Sequence, residues 1–203
     1  METIDVVIAT RNSGKLREIR QILAPLGLKI LFLRDFSEIF EIVEDGQTFE
    51  ENAVKKAAAA ARQTGRIAIA DDSGLAVDAL QGRPGVFSSR YAGENATDAD
   101  RYLKLLKEMA RVPKGRRGAA FLCALAVASP EGKVEIVEGE CRGEIASSPQ
   151  GAQGFGYDPV FFLPELGRTM AELEPEGKNR ISHRARALEK LKKVLPNFLK
   201  GYQ

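Results

Sequence analysis

Ile67-Ala68-Ile69-Ala70-Asp71-Asp72-Ser73-Gly74 joins a short apolar run to two adjacent carboxylates and two small residues. An apolar run of this length followed by turn-forming residues reads as a buried strand that ends in the acidic pair, before a small turn. In extended chain neighbouring side chains point to opposite faces, so only one of Asp71 and Asp72 can look into a given cleft. Burying either carboxylate without a partner is costly. The junction is therefore expected at the edge of a site, where a cation or a water uses the charge. A helix cap or a plain turn would use the same residue types.

Outward from this strand, the chain alternates. Ile4 to Ala9 is a β-prone run, and Gly14 to Leu26 carries Leu16, Ile19, Leu23 and Leu26 at helical spacing, with Gly27 as a stop. Leu28 to Leu33 is a second strand. Thr48 and Glu51 form a capping-box pattern before an alanine-rich helix through Arg62 that Gly65 would end. Thr97 and Asp100 repeat that device. Ala119 to Ala128 and Val134 to Cys141 flank Pro130-Glu131-Gly132 as an antiparallel hairpin. Val160 to Leu163 is a last short strand, and Ser182 caps a final helix with Ala185, Leu188, Leu191 and Leu195 on its apolar stripe. Alternation interrupted by a hairpin predicts an α/β domain with a mixed sheet, residues 1–203 forming one unit.

Composition sets the limits. At 203 residues, 44% hydrophobic and 29% charged, the chain is an ordinary globular sequence with enough length for a sizeable core. A net charge of only +2 gives no field that would draw it to nucleic acid or anionic lipid. The clusters Lys114-Gly115-Arg116-Arg117 and Lys190 to Lys193 are expected to be solvated loop and helix face. Met1-Glu2-Thr3 lacks the basic-then-apolar order of a secretion signal, and the Ala119–Ala128 stretch is too short to span a bilayer. Cys123 and Cys141 lack metal-ligand spacing. A cytoplasmic location without membrane or nucleic-acid partners is expected.

Four polar constellations accompany these elements. Thr10-Arg11-Asn12-Ser13-Gly14-Lys15 links the first strand to the first helix. A helix start offers N–H groups and partial positive charge to phosphate, although the glycine spacing is not that of a Walker loop. Asn52 and Lys56 share one helix face, and Glu44 precedes the turn that feeds that helix. Gly154-Phe155-Gly156-Tyr157-Asp158-Pro159 exposes backbone and a flat ring together, which suits a planar base. Ser182-His183-Arg184 and Lys178 gather cationic donors fit for carbonyl or phosphate oxygens. His183 is the only histidine, which excludes a multi-histidine zinc site. Each segment by itself is equally compatible with a capped helix, an acidic turn or a covered core edge.

Together they carry a resemblance. Thr10-x-Asn12-x-x-Lys15, Phe49-x-Glu51-Asn52-Ala53, Ala70-Asp71-Asp72-Ser73-Gly74-Leu75, Gly154-Phe155-Gly156-Tyr157-Asp158-Pro159 and Ser182-His183-Arg184 resemble the inosine/xanthosine triphosphate pyrophosphatase family, in register from residue 6 to about 195. Gly82-Arg83-Pro84-Gly85-Val86 and Ser89-Arg90-Tyr91 also look like that family, while Gly151-Ala152-Gln153-Gly154 is less glycine-rich than in many members. The resemblance implies an elongated central mixed sheet flanked by helices, two lobes with an active-site cleft between them, and a homodimer. It implies magnesium-dependent hydrolysis of ITP, dITP and XTP to the monophosphate and pyrophosphate. It also implies Asp72 as proton acceptor and metal ligand, with Glu44 as second ligand. Thr10, Arg11, Asn12, Ser13, Gly14, Lys15 and Lys56 would hold the triphosphate, and Ser73 would contact the nucleotide. Phe155 would stack on the base, with Gly156, Tyr157, Asp158, Lys178, His183 and Arg184 completing its pocket. A nucleotide-binding regulator and a pyrimidine triphosphate pyrophosphatase remain open alternatives at this level.

Overall fold

In the computed structural model, which describes residues 4–36 and 42–200, the expected alternation is present. β1 (Asp5–Ile8) leads through Thr10-Arg11-Asn12 into α1 (Ser13–Leu23). Asn12 is the N-cap of α1, and its Oδ1 accepts the Lys15 N–H at 3.0 Å. Ile19 and Leu23 bury the apolar side of the helix, and Gly27 takes the left-handed turn that ends this segment. β2 (Lys29–Phe32) runs parallel to β1.

α2 (Phe49–Thr64) is capped by Thr48, whose Oγ1 accepts the Glu51 N–H at 3.1 Å. The Glu51 carboxylate reaches back to the Gln47 N–H at 2.7 Å, one residue before the cap. Ala53, Ala57, Ala60 and Ala61 pack in one cluster with Ala68, Ala70, Ala124 and Ala126 of the sheet. Alanine methyls make up most of this contact, and a larger side chain there would overpack by about 1–3 kcal/mol. Asn52 and Lys56 lie on the same buried side of α2 and are carried toward the sheet with it.

β3 (Ile67–Val77) corrects one expectation. The strand does not end in the acidic pair but runs on through Ser73 and Gly74, the expected turn, to Val77. Asp71 is 0% and Asp72 8% exposed. Both carboxylates have cationic partners, so their charge does not force the chain out of the sheet. β1 pairs in parallel with β3 only as far as Ile8 against Ile69, and the Ala9 N–H then bonds the Ile69 carbonyl at 2.8 Å. The acidic pair therefore lies just beyond the carboxyl end of a parallel neighbour, where open α/β sheets place ligands.

The remaining elements are α3 (Asp98–Glu108), β4 (Gly118–Ala128), β5 (Val134–Ile145), β6 (Phe161–Leu163), β7 (Arg168–Thr169), α4 (Pro175–Ile181) and α5 (His183–Leu199). The sheet of the described residues has the order β2-β1-β3-β4-β5-β6-β7, and β5, β6 and β7 pair antiparallel, so it is mixed. β7 and α4 are too short to leave a periodic signal and were not legible in the sequence. The chain groups into two compact units, one holding residues up to Asp72, Cys123–Gly139 and Arg184 onward, the other Ser73–Leu122 and Glu140–His183. In the second unit Arg117 departs from the expected solvated loop. It is buried, and its guanidinium donates to the carbonyls of Ile145, Met109, Val112 and Ala146 at 2.7–3.1 Å. Lys114 and Arg116 are exposed as expected.

Candidate active site

In the first unit, α2 brings its polar stripe onto Asp72. Lys56 Nζ lies 2.9 Å from Asp72 Oδ1 and 2.9 Å from Glu44 Oε2. Asn52 Nδ2 donates to Asp72 Oδ2 at 3.2 Å, and Asn52 Oδ1 accepts the Gly46 N–H at 2.8 Å. A Cβ on Gly46 would stand 2.6 Å from that Asn52 oxygen, so glycine is required for the turn to close on the helix. One asparagine thereby ties the Glu44-bearing loop, α2 and Asp72 together. Burial raises the Asp72 carboxyl's pKa from its ordinary value; Lys56 and Lys15 pull it down without cancelling that, and Asp71 adds to the rise. Burial also opposes the Lys56 charge, but Asp72 and Glu44 outweigh it and raise the ammonium's pKa.

Glu44 and Asp72 thus converge on one cation, the Lys56 ammonium. Magnesium commonly takes one or two protein carboxylates and completes its shell with phosphate oxygens and water, and this pair fits that demand. Among the described residues no group of three or more histidine, cysteine or acidic side chains is placed to hold a metal.

The other face of β3 carries a different set. Asp71 pairs with Lys15, and Arg184 donates to it from Nε at 2.8 Å and to Glu18 from Nη1. Cys123 Sγ lies 3.1 Å from Asp71 Oδ2. Burial would raise the Asp71 pKa, yet Arg184 and Lys15 together hold it well below the usual carboxylate range. Burial, aided by Asp71, pushes the Cys123 thiol well up, so it stays protonated. Thr10 and the exposed Arg11, Asn12 and Ser13 surround the start of α1, where Thr10 Oγ1 accepts the Asn12 N–H at 3.2 Å. A cavity of about 250 Å³ is lined by Ala9, Thr10, Arg11, Leu33, Ile42, Glu44 and Lys56.

In the second unit the glycine-aromatic turn is held from within. Phe155 donates its N–H to Asp158 Oδ2 at 2.9 Å, and Lys178 of α4 pairs with the same carboxylate. The Lys178 ammonium sits 4.3 Å from the centroid of the Phe155 ring. A Cβ on Gly154 would collide with the Asp158 carboxylate, and Gly154 has φ 77°, so this position demands glycine twice over. The buried Tyr157 hydroxyl donates to the Ser88 carbonyl at 2.9 Å, and burial raises its pKa. The His183 ring stacks on Phe121 at 4.8 Å and 16°. Ser73 is half-buried in β3.

The structure thus gathers Glu44, Lys56 and Asp72 in one set, Lys15, Asp71 and Arg184 in another, and Phe155, Asp158 and Lys178 in a third. Arg184, grouped by sequence with His183, is committed to Asp71 and Glu18 in the first unit. Sequence reasoning overlooked Glu18 and Cys123, which carry no motif signal. Asn52 did leave one, its spacing of four from Lys56.

The fold and these sets define an α/β protein whose charged site lies at the carboxyl ends of parallel strands. Within that class the chain belongs to the Ham1 family, whose model matches residues 6–194. It is 57% identical over 187 residues to the dITP/XTP pyrophosphatase of Geobacillus kaustophilus, an alignment spanning 92% of each protein. It is likewise 57% identical to the dITP/XTP pyrophosphatase of Geobacter sulfurreducens, over 92% of this chain and 94% of that one. Among solved structures, a HAM1 protein from Coxiella burnetii superposes with a TM-score of 0.88 at 47% identity, covering 96% of this chain and 100% of that chain.

Proposed function

We propose that this chain hydrolyses non-standard purine nucleoside triphosphates (ITP, dITP and XTP) to the monophosphate and pyrophosphate, removing damaged purines from the nucleotide pool. The observation that carries the reading is the buried Asp72 carboxylate, held at 3.2 Å by Asn52 and 2.9 Å by Lys56, with Glu44 on the same ammonium. The family relationship and the dITP/XTP pyrophosphatase names of close relatives support it.

In this reading a water oxygen bonds to phosphorus, the anhydride bond breaks and pyrophosphate leaves. Asp72 accepts the water's proton, a task suited to a buried carboxylate whose orientation is fixed by Asn52 and Lys56. Thr10, Arg11, Asn12, Ser13, Gly14 and Lys15 bind phosphate oxygens at the positive end of α1, with Lys56 beside them. An ammonium has three donors, so Lys15 can reach phosphate without leaving Asp71. Asp72 and Glu44 would hold magnesium, which would supply neutralisation of the phosphate charge.

The base is read in the second unit. Lys178 covers one face of the Phe155 ring, and the base stacks on the other. Gly156, Tyr157 and Asp158 shape the pocket, while Ser73 and His183 complete the nucleotide contacts; Arg184, buried against Asp71 and Glu18, instead supports the phosphate end through Asp71. Hypoxanthine and xanthine present a 6-oxo group to these donors where adenine has an amine, and a mismatch of that kind can be refused by up to about 10⁴-fold. The two units act as one functional domain, and the protein works as a cytoplasmic homodimer on free nucleotides; these last points rest on the family resemblance.

Incubation with magnesium and a panel of ITP, dITP, XTP, GTP, ATP and pyrimidine triphosphates, resolving phosphate from pyrophosphate, tests the reading. Pyrophosphate from the first three is expected. Release of orthophosphate, preference for pyrimidines, or binding without turnover overturns it.

A further inference from the structure

Asp98 has no role in the reaction as described, yet it touches the turn that carries Phe155. It opens α3, where an acidic side chain suits the helix dipole, and its Oδ1 accepts from Arg101 at 2.6 Å. Those two roles account for an ordinary first-turn acid and one carboxylate oxygen. The second oxygen, Oδ2, accepts the backbone N–H of Gly156 at 2.7 Å, 58 residues along the chain.

The turn is thus gripped at two successive amides. Asp158 takes the N–H of Phe155 at 2.9 Å, and Asp98 takes the N–H of Gly156. Gly156 has φ 63°, a left-handed conformation open to glycine, and with no side chain to pack it relies on backbone hydrogen bonds for anchoring. Arg101 holds the anchoring carboxylate from one turn further along α3. Loss of the Asp98 acceptor releases one side of the Phe155 peptide while the Asp158–Lys178 pair, on the other side, stays intact.

We propose that Asp98 is a positioning residue that fixes the plane of the Phe155 ring for base stacking, with Arg101 orienting its carboxylate. The inference rests on the reading of Phe155 as the base platform. Its signature is a selective loss of base affinity, with phosphate binding and chemistry untouched.

The test compares Asp98→Ala, Asp98→Asn and Phe155→Ala by kcat and KM for ITP, by the inhibition constant of inorganic tripolyphosphate, which has no base, and by thermal melting. Asp98→Ala should raise KM about tenfold, the weight of one charge-assisted hydrogen bond, with kcat within about twofold and tripolyphosphate inhibition unchanged. Asp98→Asn, whose amide oxygen can still accept the Gly156 N–H, should recover most of that loss. An unchanged KM in Asp98→Ala, or equal weakening of ITP and tripolyphosphate, overturns the proposal. Should Asp98→Ala not fold, Arg101→Met serves, with an expected rise in KM of about threefold and no effect on tripolyphosphate; an unchanged KM there overturns the proposal equally. If Phe155→Ala leaves KM for ITP unchanged, the base platform itself is wrong and the inference falls with it. If Phe155→Ala raises KM and the Asp98 variants do not, only the inference fails.

Discussion

Asp71 and Asp72 are adjacent in β3 and both buried, but their surroundings drive the two carboxylates in opposite directions. Burial acts on both alike. Around Asp71 it is outweighed by Arg184 and Lys15, and the group becomes a permanent anion. Around Asp72 it prevails over Lys56 and Lys15, with the Asp71 charge adding to it, and the group is left more basic than usual. Full compensation by cations makes a structural anion; incomplete compensation makes a candidate base. The pleat of one strand separates the two outcomes by one residue.

Substitutions can break this contrast, and the largest effect belongs to Asp72. Asp72→Asn keeps the shape but removes the proton acceptor, and turnover of ITP should fall roughly 10²–10⁴-fold with little change in melting temperature. Near-normal turnover would mean the base lies elsewhere. Asp71→Asn should show the reverse pattern. It removes the buried negative charge that Lys15 and Arg184 share, and a denaturant titration should register a loss of about 3–5 kcal/mol. A stability close to that of the parent would show that Asp71 is not the structural partner its contacts suggest.

Lys15 belongs to both carboxylates electrostatically and sharpens the contrast at smaller scale. Lys15→Ala should weaken ITP and XTP equally, by about 1.5–3 kcal/mol, because phosphates carry no base information. A changed ITP to XTP ratio would place Lys15 at the base. The smallest expected effect is that of Cys123→Ser. A hydroxyl can replace the thiol's contact with Asp71, so stability should move by no more than about 1 kcal/mol, and kcat for ITP should be preserved. A large loss of turnover would give the thiol a role that its protonated, buried state does not suggest.

Much of the scaffold was legible in residue order. The periodicity of Leu16, Ile19 and Leu23 marked α1, Thr48 and Gly65 bracketed α2, and the Thr97–Asp100 capping box opened α3. The opposite orientation of Asp71 and Asp72 followed from strand geometry alone. The end of their strand falls later than expected, because Ser73-Gly74 has turn composition yet stays extended within β3 as far as Val77. Arg117 was misread for the same reason: a basic cluster looks solvated until four carbonyls are found around one of its members.

What the sequence determined by itself is therefore local: which segments form helices and strands, where their caps fall, and which side of a strand each carboxylate takes. These depend on backbone sterics and on neighbours within a turn or two. Tertiary structure alone decided which carboxylate has its pKa held down and which has it raised. That choice depends on Arg184, 113 residues from Asp71, and on Lys56, 16 residues from Asp72. Coulomb energies fall with distance in space and grow as water is excluded, and neither separation nor burial is written in the order of residues.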